Sequence, residues 1–295
     1  MYNSIAQMIS IAKECKVPPW QVVLETEMIL SERTEEEIFA RLAERYAVMV
    51  RSAEKALETP QPTPLAGLIK GIAMTQNTYA ETGGISGGFI NKLMARALSC
   101  SEVNASMGKI VAAPTAGACG ILPAVLMTVG EQCESSERAV LEALLLASGV
   151  GRVIMENATV SGAEGGCQAE CGVAAAMAAA AAVYLYGGDS DTCANAVAIA
   201  LMNVLGLVCD PVAGLVQVPC AGRNASQAVN AVISADMALA GMRSIIPPDE
   251  MITAMLHVGR ALPTDLRETG KGGAAATPTG CAVYDGLFKR GECAQ

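Results

Sequence analysis

The uncharged, apolar run from Gly172 to Tyr186 constrains the fold most, because Ala, Val, Met and Leu make up nearly all of it. A second strongly hydrophobic run extends from Ala194 to Val208. Hydrophobic residues are 52% of the chain but aromatic residues only 3%, so the core must consist mainly of Ala, Leu, Val, Ile and Met. Such side chains suit closely packed helices better than sheets, which favour aromatic and β-branched residues. The sequence therefore predicts an all-α fold.

Neither apolar run has the features of a membrane-spanning helix. Each is shorter than the roughly 20 apolar residues that a span needs. The second run also contains Asn195 and Asn203, and neither run has a basic flank. We therefore predict buried helices of a soluble bundle and expect no membrane contact.

Residues 1–58 are predicted to form an N-terminal helical region that packs on the core. Pro18 and Pro19 break the helical pattern, while Thr34 and Glu37 have the spacing of a capping box at the start of a charged helix. Apolar residues then recur at helical spacing, which gives this helix one face to bury. These residues are Ile38, Leu42, Tyr46 and Met49.

Alternating prolines in residues 59–64 mark the predicted domain boundary, because they hold the chain extended. Residues 65–295 are predicted to form a second helical domain, in which apolar helices are joined by Gly-rich loops. Within this domain, Asp189 is a natural helix N-cap. A further helix is predicted to begin at the prolines around Pro248 and to run to about Leu262.

Charge and composition exclude several classes of partner and chemistry. The net charge of -9, with no long basic run, argues against nucleic acid and anionic membranes, so we expect a small-molecule substrate. Eleven cysteines and a Met1–Ser10 segment unlike a signal peptide favour the reducing cytoplasm. The sole histidine, His257, lies in an amphipathic helical segment and almost excludes Ser-His-Asp and multi-histidine metal sites.

Cys167 lies in a favourable position for a metal or cluster ligand. It follows Gly165-Gly166 immediately before the long apolar run. The start of a helix favours a thiolate, and a glycine pair lets backbone approach a bulky group closely. Cys171 forms a C-x3-C pair with Cys167, but no ferredoxin-type run or paired zinc motif accompanies it.

Three further cysteines lie at breaks in the predicted helices, where ligands and catalytic groups concentrate. These are Cys209, Cys220 and Cys281. The other cysteines are predicted to be structural core thiols or, at the C-terminus, part of a terminal tail; they are Cys15, Cys100, Cys119, Cys133, Cys193 and Cys293. Spacing alone leaves open whether any cysteine is a ligand, because thiols in an Ala-rich chain are mostly small core residues.

Four segments give the chain a specific resemblance to the iron-sulfur-dependent L-serine dehydratases, in particular to the alpha chain of the two-chain form. The resemblance covers most of the chain from about residue 65 onward. Its most distinctive part is the segment that begins Cys-Asp-Pro and ends Pro-Cys. The four segments are Lys109–Pro123, Asn157–Glu170, Cys209–Cys220 and Arg267–Gly273.

The resemblance implies that residues 65–295 form a helical catalytic domain in which Gly-rich loops surround a buried iron-sulfur site. It implies that this site is a four-iron four-sulfur cluster held by Cys167, Cys209 and Cys220. In single-chain relatives the fourth cysteine ends the chain, and its nearest counterpart here is Cys281, although this chain continues to Gln295. Three thiolates would leave one iron open as a Lewis acid for the hydroxyl of L-serine. A base would remove the α-proton, water would leave, and the aminoacrylate would hydrolyse to pyruvate and ammonia, a step of amino-acid degradation that feeds gluconeogenesis.

The general base is the least specified part of this chemistry. Lys271 is a candidate beside Gly272 and Gly273. The beta chain of the two-chain enzymes carries a Ser-Ser-His motif that this chain lacks, so we expect a beta-chain partner and an oligomer. The polar turns supply the candidate substrate-binding residues, which are Thr115, Gly117, Asn157, Ser161, Glu164, Arg223 and Asn224.

Two alternative functions remain open at this point. A pyridoxal-phosphate-dependent amino-acid lyase would need a Schiff-base lysine and a phosphate-binding loop, which Gly83-Gly84 with Lys109 or Lys271 imitates poorly. A non-enzymatic Ala-rich helical scaffold or membrane bundle would contain no iron and would turn nothing over.

Overall fold

The structure is a computed structural model that describes residues 1–288. Within that range the chain forms helices joined by turns and no β-strand, which confirms the predicted all-α fold. Cys293 lies outside the described residues. The α-helices are α1 (Ile5–Cys15), α2 (Pro19–Ser31), α3 (Glu35–Glu58), α4 (Ile72–Ala80), α5 (Gly87–Ala105), α6 (Ile121–Gln132), α7 (Glu137–Asn157), α8 (Gly162–Gly165), α9 (Val173–Leu185), α10 (Ser190–Met202), α11 (Cys220–Leu239), α12 (Pro248–Ala261) and α13 (Pro278–Phe288).

Helix α9 is the centre of the fold. Every residue from Val173 to Val183 is buried, and α6, α7, α10 and α11 pack around it. The small alanine side chains let these neighbours approach closely, so the low aromatic content of the chain matches the way the core is built. A π-helical turn, Gln168–Gly172, precedes α9 without a break.

The π-helical turn and α9 together form one apolar stretch, Gln168–Leu185. By length and composition alone it is long and apolar enough to cross a membrane. However, 83% of it is buried inside the protein, as in the core helix of a globular fold. The predicted buried location of the apolar run is therefore confirmed.

The N-terminal helices pack on this core. Thr34 Oγ1 accepts a hydrogen bond from the Glu37 amide at 3.3 Å, and Glu37 Oε2 accepts one from the Thr34 amide at 3.0 Å, which confirms the capping box. Phe39 of α3 is buried in the same apolar cluster as α9, and the Arg138 guanidinium of α7 lies 3.5 Å from the centre of its ring. The division of the chain at residue 58 stays a prediction.

The predicted helix starts later in the chain are also observed. Asp189 caps α10 by accepting a hydrogen bond from the Thr192 amide at 2.8 Å. Helix α12 begins at Pro248 and ends at Ala261, one residue before the predicted Leu262. Both starts depend on local chemistry that the sequence displays directly.

Glu102 anchors the proline-containing linker to α5. This carboxylate is completely buried, and its Oε1 atom accepts hydrogen bonds from the amides of Gln61 at 2.7 Å and Gly71 at 2.9 Å. On the other side of the linker, Gln217 accepts a hydrogen bond from the Leu68 amide at 3.1 Å and donates one to the Leu65 carbonyl at 2.8 Å. The linker is therefore held between α5 and the loop that precedes α11.

Replacing Glu102 with alanine should destabilise the protein by about 3 kcal/mol, because it leaves two buried amides without an acceptor. The exposed Glu54 of α3 is the matched control, and Glu54→Ala should change the free energy of unfolding by less than about 0.5 kcal/mol. Urea denaturation measures both. Equal stability of the two variants would show that Glu102 does not anchor the linker.

Candidate active site

Four segments of the chain meet at one end of α9. The π-helical turn contributes Glu170 and Cys171, with Cys167 immediately before it. The loop after α10 contributes Cys209, which pairs with residues 266–268: its amide donates to the Leu266 carbonyl at 2.9 Å, and its carbonyl accepts from the Glu268 amide at 2.6 Å. The start of α11 and the turn before α6 complete the site.

The structure brings together three of the cysteines predicted as ligands. Cys167 and Cys209 are buried, and Cys220 at the start of α11 is partly buried. Burial, together with the charge of Cys167, raises the pKa of Cys220 to about 12. Burial also raises the pKa of Cys209, with added contributions from Glu170 and Cys167. The three thiols are therefore close enough for each to act on another.

Cys167, Cys209 and Cys220 supply thiol groups, the ligand type that iron-sulfur clusters use. Among residues 1–288, no group of three or more His, Cys, Asp or Glu side chains converges on one metal position. In an iron-sulfur cluster the thiolates bind through cysteines at separate corners, so their sulfurs need not converge on one point. Buried thiols with raised pKa values would lose their protons when they bind a cationic metal centre.

Cys171 supports Cys167 through a hydrogen bond between the two thiols. This bond is the main reason that the pKa of Cys167 is lowered, and the positive charge of Arg223 lowers it further. The same bond and complete burial raise the pKa of Cys171 well above its usual value. Cys171 is thus placed as a hydrogen-bond donor to Cys167, and its assignment as a neighbour and not a ligand stays a prediction.

Arg223 links the site loops to one another. Its guanidinium pairs with Asp210 at 2.7 Å and donates to the Val208 carbonyl at 2.8 Å. Although burial alone would lower the pKa of Arg223, the charges of Cys167 and Asp210 raise it. Asp210 also accepts a hydrogen bond from the Ala274 amide at 2.6 Å. The predicted substrate residue Arg223 therefore lies in the site, with much of its hydrogen-bonding capacity used to hold the Cys209 loop.

Asn224 fixes the turn that carries Thr115 and Gly117. Its amide nitrogen donates to the Gly117 carbonyl at 2.6 Å, and its amide oxygen accepts from the Gly120 amide at 2.8 Å. A β-carbon at Gly117 would lie 3.4 Å from Oε1 of Glu170, so this turn borders the cysteine site. Thr115, Gly117 and Asn224 are thus brought to the site that the sequence predicts for them.

Glu170 is a central residue that the sequence analysis assigned no role. Its Oε2 atom lies 3.8 Å from Cys209 Sγ. Burial raises the pKa of its carboxyl group, the Thr115 hydroxyl lowers it, and the charge of Glu268 raises it. The sequence signal for Glu170 is a charged residue inside a Cys- and Gly-rich apolar segment. Burying an unpaired carboxylate there costs free energy, so such a residue points to a functional role.

The remaining predicted substrate residues make local contacts. The Asn157 amide group donates to the carbonyls of Asn3 and Val153, at 2.9 Å and 2.8 Å, so it joins the N-terminus to the end of α7. Glu164 accepts a hydrogen bond from the Thr159 hydroxyl at 2.6 Å. Ser161 is the N-cap residue immediately before α8, and its carbonyl accepts a hydrogen bond from the Gly165 amide. Their roles in substrate binding stay predictions.

Lys271 and Cys281 are both exposed. Lys271 lies in the turn after Glu268, and its amide donates to the Thr269 hydroxyl at 3.4 Å. Cys281 lies on α13, where its thiol is 3.9 Å from the Ala275 carbonyl; α13 packs on the 3₁₀ turn Val212–Gly214 that follows Cys209. The base assignment and the fourth-ligand assignment stay predictions. His257 is exposed on α12.

Similarity to known proteins identifies the family of this helical chain, in which several thiols lie at the end of the core helix. A sequence model described as serine dehydratase alpha chain matches residues 14–275. The L-serine dehydratase alpha chain of Peptoniphilus asaccharolyticus is 47% identical over 293 residues, covering 99% of this chain and 100% of the relative. The chain therefore belongs to the serine dehydratase alpha chain family.

Two further relatives show how the family varies in length. The probable L-serine dehydratase alpha chain of Bacillus subtilis (strain 168) is 46% identical over 289 residues, covering 98% of this chain and 96% of the relative. L-serine dehydratase 2 of Escherichia coli (strain K12) is 36% identical over 291 residues, which cover 95% of this chain but only 62% of the relative. Part of the longer protein therefore has no counterpart in this chain.

Gly162→Ala should destabilise the site, because a β-carbon there would lie 2.6 Å from Glu170 Oε2 and 2.9 Å from Cys209 Sγ. We expect a loss of about 1–3 kcal/mol in the free energy of unfolding, as for other overpacked positions. Gly222→Ala on α11 is the matched control, since a β-carbon there meets nothing within 4 Å. Urea unfolding that found both variants equally stable would contradict this packing.

Proposed function

We propose that this chain is the alpha chain of an L-serine dehydratase that eliminates water from L-serine and yields pyruvate and ammonia. One observation carries the proposal: buried Cys167 and Cys209 and partly buried Cys220 lie on segments that pack together at one end of α9, in a chain of the serine dehydratase alpha chain family. Among the described residues, no contact favours the pyridoxal-phosphate or scaffold alternatives.

The proposed cofactor is a four-iron four-sulfur cluster held by Cys167, Cys209 and Cys220. We propose Cys281, whose thiol is exposed, as the ligand that closes the fourth iron when no substrate is bound. When bound, a cluster with one iron free of protein ligands supplies a Lewis-acidic position for the substrate hydroxyl. The donor set supports this assignment because thiolates are the ligands that iron-sulfur clusters use.

The chain's own residues orient the loops of the site. Arg223 holds the Cys209 loop against α11 through Asp210 and Val208, and Asn224 holds the Gly117 turn against the same helix. We assign Thr115, Gly117, Arg223 and Asn224 to the substrate side of the site. Asn157, Ser161 and Glu164 are proposed with them, with the local contacts described above.

The proposed base is Lys271 or a group from a second chain. Lys271 follows Glu268 on the loop that pairs with Cys209, which supports its position near the site. The names of two relatives include "alpha chain", and the longer E. coli relative contains a portion without a counterpart here. These findings support a beta chain that completes the active oligomer.

We further propose that the enzyme acts in the cytoplasm, in amino-acid degradation and gluconeogenesis. The cysteines of residues 1–288 are all free thiols, which supports a reducing compartment. An iron-sulfur cluster also requires its thiolates to be free of disulfide bonds.

Cys209→Ser and Cys220→Ser should each lower the iron and acid-labile sulfide content and abolish pyruvate formation, because each removes a proposed thiolate ligand. Cys133→Ser is the matched control. Cys133 is partly buried at the end of α6, and its loss should leave both quantities near the wild-type level. The measurement is made on anaerobically purified protein. Equal iron content in all three variants would refute the ligand assignment.

The chain purified alone should bind iron but form pyruvate from L-serine at least about tenfold more slowly than the complex with its beta chain, since the partner is proposed to complete the base machinery. Anaerobic assays of the isolated chain and of the two chains co-expressed test this. Full activity of the isolated chain would overturn the partner proposal and leave the cluster proposal intact.

A further inference from the structure

The carboxylate of Glu170 lies next to two glycines, Gly162 and Gly117. A β-carbon at Gly162 would come within 2.6 Å of its Oε2 atom, and one at Gly117 within 3.4 Å of its Oε1 atom. The same carboxylate lies 3.8 Å from the Cys209 thiol. Glu170 therefore occupies a cradle formed by the Thr115 turn, α8 and the Cys209 loop.

The negative charge of Glu170 has no cationic partner within the described part of the chain. No Lys, Arg or His side chain in residues 1–288 forms a salt bridge with it. The arginine of the site, Arg223, pairs with Asp210. A partly buried carboxylate without a cationic partner is costly unless a cation is bound there.

L-serine carries an ammonium group close to the hydroxyl that leaves in the reaction. Its α-ammonium and its hydroxyl are separated by only two carbon atoms. If the hydroxyl is directed toward the thiol site beside Cys209, the ammonium therefore lies within a few ångströms of that hydroxyl. Glu170 Oε2 lies at a similar distance, 3.8 Å, from Cys209 Sγ. A carboxylate and an ammonium form a charge-assisted hydrogen bond, which is stronger than a neutral one.

We propose that Glu170 binds the α-ammonium of the substrate and thereby selects α-amino β-hydroxy acids over hydroxy acids that lack the amine. This inference rests on the proposed function and deepens it. Glu170 is a substrate-binding and specificity residue in this scheme, and the glycine at position 162 leaves the space that its carboxylate occupies.

The test compares L-serine with 3-hydroxypropanoate, which has the same hydroxyl and carboxylate but no ammonium. Binding of both to the anaerobically purified, cluster-loaded complex is measured by calorimetry, and KM and kcat for L-serine are measured in parallel. Glu170→Gln should weaken L-serine binding at least about tenfold, which is about 1.4 kcal/mol, and raise KM. Binding of 3-hydroxypropanoate should stay the same or strengthen.

The matched control is Glu44→Gln on the exposed face of α3, which should alter neither ligand. Equal weakening of both ligands by Glu170→Gln, or no weakening of L-serine, would overturn the proposal. Iron content shows whether the variant keeps its cluster. If it does not, Glu170→Asp decides, because it retains the carboxylate: a preference for L-serine over 3-hydroxypropanoate supports the proposal, and equal affinity overturns it.

Failure of this inference is distinguishable from failure of the proposed function. If the wild-type complex converts L-serine but Glu170→Gln keeps the wild-type preference, only the role of Glu170 is wrong. If the loaded wild-type complex neither binds nor converts L-serine, both proposals are wrong.

Discussion

The ion pair between Arg223 and Asp210 is the contact on which the arrangement of the site depends. It joins the start of α11 to the loop that carries Cys209, and the same guanidinium holds the Val208 carbonyl and faces Cys167. Asp210 extends the connection to the Ala274 amide near the C-terminus. Segments distant in sequence are therefore fixed by a single charged pair in a partly buried setting, where such pairs act more strongly than at the surface.

This pair is effective because the helices behind it are rigid. Eight of the thirteen residues of α9 are alanine, and Val173–Val183 are all buried, so its neighbours pack closely and leave little freedom at its N-terminal end. The π-helical turn at that end, Gln168–Gly172, presents Glu170 and Cys171 toward the loops. Turns of this kind are frequent at functional sites. The alanine-rich sequence of α9 therefore both forms the helical core and holds the proposed site residues in place.

Features that depend on local chemistry were predictable from the sequence, and features that depend on long-range contacts were not. The helix starts at Thr34, Asp189 and Pro248 each follow from residues within one turn. The grouping of the ligand cysteines came from a family resemblance, because their spacing alone left it open. Glu170 went unassigned because its partners come from three distant segments. Asn157 was predicted at the site, yet its amide reaches the N-terminus, a contact no local pattern reveals.

The central claim is that Cys167, Cys209 and Cys220 hold a cluster with one iron open to the substrate. Mössbauer spectroscopy of the anaerobic complex enriched in ⁵⁷Fe, with and without L-serine, tests this most directly. We expect a four-iron cluster spectrum in which L-serine shifts the signal of one iron and leaves the signals of the others unchanged. A protein without cluster iron, or a cluster spectrum that L-serine leaves entirely unchanged, would contradict it.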